Sequence, residues 1–105
     1  MEVGLIGLGK MGFNLGKNLL DHEHEVVCYD SNSNAIKELE KNGATAAFSL
    51  RELVNSLETP RILWIMVPHS VVDIVISELT PFLSSGDIVI EAGNSHYKES
   101  IRRYE

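Results

Sequence analysis

Apolar positions recur along this 105-residue chain with two alternating periods, and their order predicts strand followed by helix, repeated. Short apolar runs at residues 2–6, 24–29, 44–48, 62–67 and 87–91 read as strands. Between them, apolar residues return every three or four positions. Met11, Leu15 and Leu19 mark one face of a helix over residues 10–20, and Ala35, Ile36 and Leu39 mark a second that Asn42-Gly43 should end. Ser49-Leu50-Arg51-Glu52 has the form of a capping box, in which a hydroxyl and a carboxylate each satisfy an orphan backbone donor, and Leu50, Leu53, Val54 and Leu57 continue the helix. Val71, Val72, Val75, Ile76 and Leu79 form the next one, bounded by Pro68 and Pro81. A further helix is expected to begin near Tyr97 and run to Glu105.

Strands alternating with helices predict an α/β fold, a doubly wound, mostly parallel sheet with helices on both faces. The run 62–67 does not alternate, so both of its faces must be covered, as in a central strand. Ligands of such sheets bind beyond the carboxyl ends of the strands, where strand order reverses. The stretches to inspect are therefore 7–12, 30–32, 66–70 and 92–95.

The first of these is Gly7, Leu8, Gly9, Lys10, Met11 and Gly12, placed between a strand and a helix. That is the Rossmann-type arrangement for laying a dinucleotide pyrophosphate on a helix N-terminus, where unpaired N–H groups and the positive end of the helix face the phosphates. Gly7 would permit the tight turn, Gly9 the approach of backbone to pyrophosphate, and Gly12 close packing of helix on sheet. Glycine-rich turns also close ordinary strand–helix junctions, so the context decides. Asp30 ends the second strand 18 residues beyond Gly12, where a carboxylate can accept hydrogen bonds from the adenosine ribose. The plainer role for Asp30 is to cap the turn through Ser31 and Asn32.

Composition narrows the partners. At 44% hydrophobic and 23% charged, 105 residues fit one globular domain able to bury a core. A net charge of −6 with nine dispersed basic residues argues against nucleic acid. No apolar run is long enough for a bilayer and no leader is expected, so a soluble, cytoplasmic protein with no membrane partner is anticipated. Cys28 sits in a strand pattern and reads as a buried, inert thiol. His22, His24 and His96 lack metal-ligand spacing with a cysteine or paired carboxylate, so no metal is assigned. Trp64 reads as core, His69 as a solvated loop residue, and Lys37, Glu38, Glu40 and Lys41 as an exposed helix face.

Taken together, three stretches resemble the N-terminal coenzyme domain of the 6-phosphogluconate dehydrogenases, in the β-hydroxyacid dehydrogenase superfamily. They are the glycine turn with Asn14 and Asn18-Leu19 after it, Met66-Val67-Pro68 with Val72-Asp73, and residues 86–95 ending in Gly93-Asn94-Ser95, followed by Tyr97-Lys98 and residues 100–103. The resemblance covers essentially the whole chain. It implies oxidative decarboxylation of 6-phosphogluconate to ribulose 5-phosphate, a step of the pentose phosphate pathway. By the same resemblance Met66, Val67 and Pro68 contact the coenzyme, and Asn94 and Ser95 meet the substrate, Asn94 also lying at the nicotinamide. The family's catalytic lysine and glutamate, its phosphate ligands and most of its dimer interface come from later helices. No catalytic residue is therefore expected within 1–105, which reads as one truncated NAD-binding domain of an enzyme that is a homo-oligomer through its helical domain.

NADP-using members carry an arginine just after the acidic position, where this chain has Ser31 and Asn32. A carboxylate about 4 Å from a phosphate charge costs on the order of 4 kcal/mol at an effective dielectric of about 20, and retaining even about 1.4 kcal/mol after screening is a tenfold preference. NAD is expected over NADP. Departures from the family pattern are Ala92 for glycine, His69-Ser70 for a small pair, and Glu23 for glycine after the first helix. An NAD-sensing regulatory module and another β-hydroxyacid dehydrogenase are the alternative readings.

Overall fold

A computed structural model describes the backbone of residues 1–91 and 100–103, and the side chains of the first of these stretches. Among the described residues, six strands form one sheet in the order β3-β2-β1-β4-β5-β6. The strands are β1 (Glu2–Ile6), β2 (Glu25–Tyr29), β3 (Thr45–Ala46), β4 (Ile62–Ile65), β5 (Ile88–Glu91) and β6 (Ser100–Arg103). The helices are α1 (Lys10–Asp21), α2 (Ser33–Lys41), α3 (Leu50–Asn55) and α4 (His69–Leu79). The first five strands are parallel. β1 and β4 lie side by side at the centre, in register from Gly4 against Leu63 to Ile6 against Ile65. Winding runs outward from that pair in both directions, as the expected doubly wound fold requires.

Two apolar layers cover the sheet. One gathers Leu53, Val54, Val75 and Leu79 of α3 and α4 on Ile6, Leu63, Ile65 and Val89. The other gathers Ile36 and Leu39 of α2 on Leu5, Val26 and Cys28, with Phe13, Leu15, Leu19 and Trp64 packed against them. Each side chain of this size, fully buried, contributes roughly 1.5–3 kcal/mol. Trp64 thus belongs to the packing, as its strand context implied. Burial pushes the Cys28 thiol up to about 11, with the Glu40 carboxylate adding to the effect, which suits an inert cysteine. No helix among the described residues is long and apolar enough to cross a membrane.

Several expected boundaries shift, each for a local reason. The second strand starts at Glu25, because His24 is used to close α1. The third shrinks from residues 44–48 to Thr45–Ala46: the Ala47 N–H still bonds the Cys28 carbonyl at 2.9 Å, but the next N–H, of Phe48, is taken at 2.6 Å by Glu52 of the capping box. The Ser49 hydroxyl accepts from the Glu52 N–H at 3.0 Å, so the box forms with its carboxylate reaching one residue further back. α3 ends at Asn55, leaving Leu57 buried just beyond it. The fourth strand stops at Ile65 rather than residue 67, and the fifth starts at Ile88. Of the predicted face of α1, Met11 is exposed, and the helix instead buries Gly12 and Gly16 against the sheet.

The expected final helix is corrected over residues 100–103, which form β6, antiparallel to β5 with Ile101 opposite Ile90. An unpaired outer edge on β5 would present a row of backbone donors and acceptors, and β6 satisfies them. The rest of that predicted helix lies outside the described residues.

Helices α1 and α2 end in the same way with different residues. Beyond α1, the His24 N–H bonds Leu19 O and the Glu23 N–H bonds Leu20 O. Beyond α2, the Ala44 N–H bonds Leu39 O and the Gly43 N–H bonds Glu40 O. Both are Schellman motifs, which need a left-handed residue in the penultimate place. Gly43 meets that need at φ 112°, but Glu23 is forced to φ 64°. Replacing Glu23→Gly is expected to raise stability by about 1 kcal/mol, read as a higher urea midpoint at unchanged slope.

At the opposite end of the sheet from the glycine turn, Asp87 is fully buried. Its carboxylate accepts from the Arg61 N–H at 2.7 Å, the Ser84 N–H at 2.8 Å and the Arg61 guanidinium at 3.0 Å. Burial alone would raise its pKa, but the Ser84 and Arg61 backbone donors and the guanidinium outweigh burial and hold it below the usual carboxylate value. A carboxyl held low in the folded state stabilises fully above its unfolded pKa, near 3.9, and loses that contribution as pH falls through the lower folded value. Acid unfolding should therefore be steepest below about pH 4. Asp87→Asn should cost about 3 kcal/mol at pH 7 by stranding Arg61 and flatten that acid limb, both measurable by denaturant melts across pH.

Candidate functional site

The central strands part company after Ile6 and Ile65, and the chain leaving β1 must turn sharply into α1 there. Gly7 makes that turn at φ 98°, and a Cβ on it would lie 2.8 Å from the Met66 carbonyl. Gly12, one helical turn on, has the Gly7 carbonyl oxygen 2.0 Å from where its own Cβ would stand. No side chain fits at either place, so helix and turn meet backbone to backbone. Gly9 is different: a Cβ there would meet nothing within 4 Å. It forms the N-cap of α1, with no side-chain cap and no acidic residue in the first turn. Orphan N–H groups and an unneutralised positive helix end face that open space.

The space is a crevice of about 1060 Å³ on the side of the sheet covered by α3 and α4. Gly7, Gly9, Lys10, Met11 and Gly12 form one wall, Met66, Val67 and Pro68 another, and Asp30 and Ser31 the rim at the end of β2. These were expected from sequence to share a site, and the fold brings them together. Leu8 and Asn32 take part differently. The Leu8 side chain is buried in the core, and the Asn32 side chain accepts the N–H of Asn34 to cap α2. Asn94 and Ser95, like Ala92, lie outside the described residues. His69 is the exposed first residue of α4 and does not line the crevice.

Asp30 is held by backbone donors on both oxygens. Its Oδ2 accepts from the Leu8 N–H at 2.5 Å and its Oδ1 from the Asn32 N–H at 2.8 Å. The turn-capping role weighed from sequence is thus real, and a contact to the glycine turn is added to it.

Sequence reasoning missed the third wall. Phe48, Leu50 and Arg51 at the start of α3 face Val71, Ile74, Glu78 and Phe82 in and beyond α4. Phe48 and Ile74 are about half exposed, and the Arg51 guanidinium lies 5.3 Å over the Phe82 ring. The available signal was an excess of apolar residues on α4. Val71 and Ile74 fall off its buried face, so they needed another partner. Among the described residues Lys10 and Arg51 bring positive charge to the lining, Asp30 and Glu78 negative. No group of metal-ligating side chains occurs among the described residues.

Residues 2–105 match the family model described as the NAD binding domain of 6-phosphogluconate dehydrogenase. The chain belongs to this family. It is 58% identical over 104 residues to the Bacillus subtilis (strain 168) protein named "Putative 6-phosphogluconate dehydrogenase YqeC", covering 99% of this chain and 35% of that one. It is 41% identical over 106 residues to the NAD(+)-dependent, decarboxylating 6-phosphogluconate dehydrogenase of Haloferax volcanii, covering 100% of this chain and 36% of the relative. The chain thus spans about a third of the length of these relatives. Among solved structures, the 3-hydroxyisobutyrate dehydrogenase of Mycobacterium tuberculosis superposes with a TM-score of 0.79 at 22% identity, over 88% of this chain and 31% of that one. That likeness establishes the dehydrogenase-type fold of this NAD-binding domain.

Gly9 and Gly12 should separate binding from folding. Gly9→Ala is expected to melt within about 0.5 kcal/mol of the parent, since its methyl enters open space, yet to lose NAD binding at least tenfold. Gly12→Ala should instead destabilise by more than about 3 kcal/mol through overpacking against backbone. Calorimetric titration alongside thermal melts checks both.

Proposed function

We propose that this chain is the coenzyme-holding part of an NAD-dependent dehydrogenase that oxidises and decarboxylates 6-phosphogluconate. The observation that carries the reading is the open cradle at Gly9, beneath an uncapped helix N-terminus and beside the Asp30 carboxylate. NAD supplies the hydride acceptor of the reaction. The chain's own share is to hold it. N–H groups of the glycine turn donate to the pyrophosphate, with Lys10 adding a positive charge above it. Asp30 accepts from the adenosine ribose hydroxyls, with Ser31 and Asn32 forming the turn behind it. Met66, Val67 and Pro68 exclude water along the nicotinamide side. Asn94 and Ser95 would then meet the substrate, a neutral amide and hydroxyl adding no charge beside the hydride path.

Preference for NAD over NADP rests on charge at the rim. The residues following Asp30 supply no cation, and Arg51, which does line the crevice, is engaged on Phe82. A 2′-phosphate would therefore meet the carboxylate uncompensated.

Titration calorimetry at equal ionic strength should show NAD binding at least tenfold tighter than NADP. Equal or tighter NADP binding overturns the preference. Fused to the remaining two thirds of the Bacillus subtilis relative, the chain should reduce NAD with 6-phosphogluconate and release carbon dioxide in equal amount. A folded fusion that binds NAD but oxidises only 3-hydroxyisobutyrate would reassign the substrate.

A further inference from the structure

The β1–β2 ladder ends with Ile6 opposite Tyr29, and the Gly7 N–H still reaches the Tyr29 carbonyl at 2.9 Å. One residue further, the ladder's next acceptor is a side chain: Asp30 Oδ2 takes the Leu8 N–H at 2.5 Å, across 22 residues of sequence. The other oxygen takes the Asn32 N–H at 2.8 Å. We infer that Asp30 is a positioning residue for the pyrophosphate turn as well as a ribose acceptor, so that one carboxylate sets the geometry of both halves of the coenzyme site. This deepens the coenzyme reading above and rests on it.

The stereochemistry allows both roles together. An ionised carboxylate offers about four acceptor positions, and the two backbone bonds use one on each oxygen. Two remain for the vicinal ribose hydroxyls. The bond to Leu8 is charge-assisted and fixes the peptide plane between Gly7 and Leu8, the step at which the chain turns from strand into helix. With Leu8 N–H committed to Asp30, the donors that follow it, from Gly9 onward, are the ones left to face phosphate. The Leu8 side chain, buried in the opposite layer, pins the same residue from the other side. The turn is thereby built before any ligand arrives, and binding need not order it.

A carboxylate that served the ribose alone would behave oppositely toward a ligand without ribose. Asp30→Asn removes a negative charge near the phosphate cradle, so electrostatics alone make inorganic pyrophosphate bind more tightly. If Asp30 organises the turn, the amide nitrogen introduced by this substitution opposes a backbone N–H at Leu8 or Asn32, the turn loosens, and pyrophosphate binds more weakly. Asp30→Ser isolates the Leu8 half, because a short hydroxyl can still accept from Asn32 but cannot reach Leu8.

The test is hydrogen exchange at the Leu8 amide in the ligand-free chain, with calorimetric titrations of pyrophosphate and of NAD, on the parent, D30N and D30S; circular dichroism verifies folding. The expected result is exchange at Leu8 accelerated about tenfold or more in D30S, with pyrophosphate affinity reduced at least threefold in D30N despite the lost repulsion. Unchanged Leu8 exchange in D30S, or pyrophosphate binding that tightens while NAD binding weakens, overturns the positioning role and leaves Asp30 a ribose ligand only. Parent protein that binds neither NAD nor pyrophosphate sinks the coenzyme reading separately, because Leu8 exchange reports the Asp30–Leu8 hydrogen bond without any ligand.

Discussion

The approach of α1 to the turn that precedes it governs the rest of this molecule. Helix and turn touch through main chain alone, with the Gly7 carbonyl in the place where any side chain at position 12 would begin. That contact brings the helix N-terminus down onto the ends of the central strands, so its unpaired N–H groups open over the crevice rather than over the surface. Close packing and the open helix end are here one constraint, since the absence of a Cβ that permits the first uncovers the second. Gly9, with room where a methyl would be, is the part of the turn that takes no share in packing.

Function and stability are drawn to opposite ends of the sheet. The carboxyl ends of β1, β2 and β4 carry the glycine turn, Asp30 and Met66, all partly open to solvent and held chiefly by backbone. The other end carries the buried Asp87 with three donors converging on it, joining the start of β4 to the loop before β5. A buried carboxylate left unpaired would be costly, so its satisfied network fixes how these strands start and thereby where they end. Two acidic residues of the same chain thus do different work: Asp87 is sealed and saturated, whereas Asp30 retains acceptor positions toward the crevice.

How much of this could be read beforehand differs from residue to residue. Parallel strands and their covering helices follow from periodicity because each apolar face must be buried somewhere, and the Asn42-Gly43 end of α2 follows because glycine alone enters the left-handed region cheaply. Glu23 shows the limit of that rule. It occupies the same conformation, and what keeps it there is the pair of Schellman hydrogen bonds, not its own preference. The short β3 was overestimated because the capping box drew Phe48 out of the ladder, a competition between two local signals that only the fold arbitrates. The stretch at 100–103 turned to strand because the open edge of β5 outweighed a helical pattern of few residues.

The sequence by itself determined the class of fold, the position of the glycine turn and the acid that faces it, since each rests on what a backbone can do without a side chain or on the distance between one strand and the next. Only the tertiary structure decided that Arg51, Phe48 and Ile74 share a wall of the crevice, that Met11 is exposed along that crevice instead of packed on the sheet, and that Asp30 reaches back to Leu8. Those relations join residues on separate elements, and no periodicity along the chain encodes which faces of two helices will meet or which backbone donor a carboxylate will find.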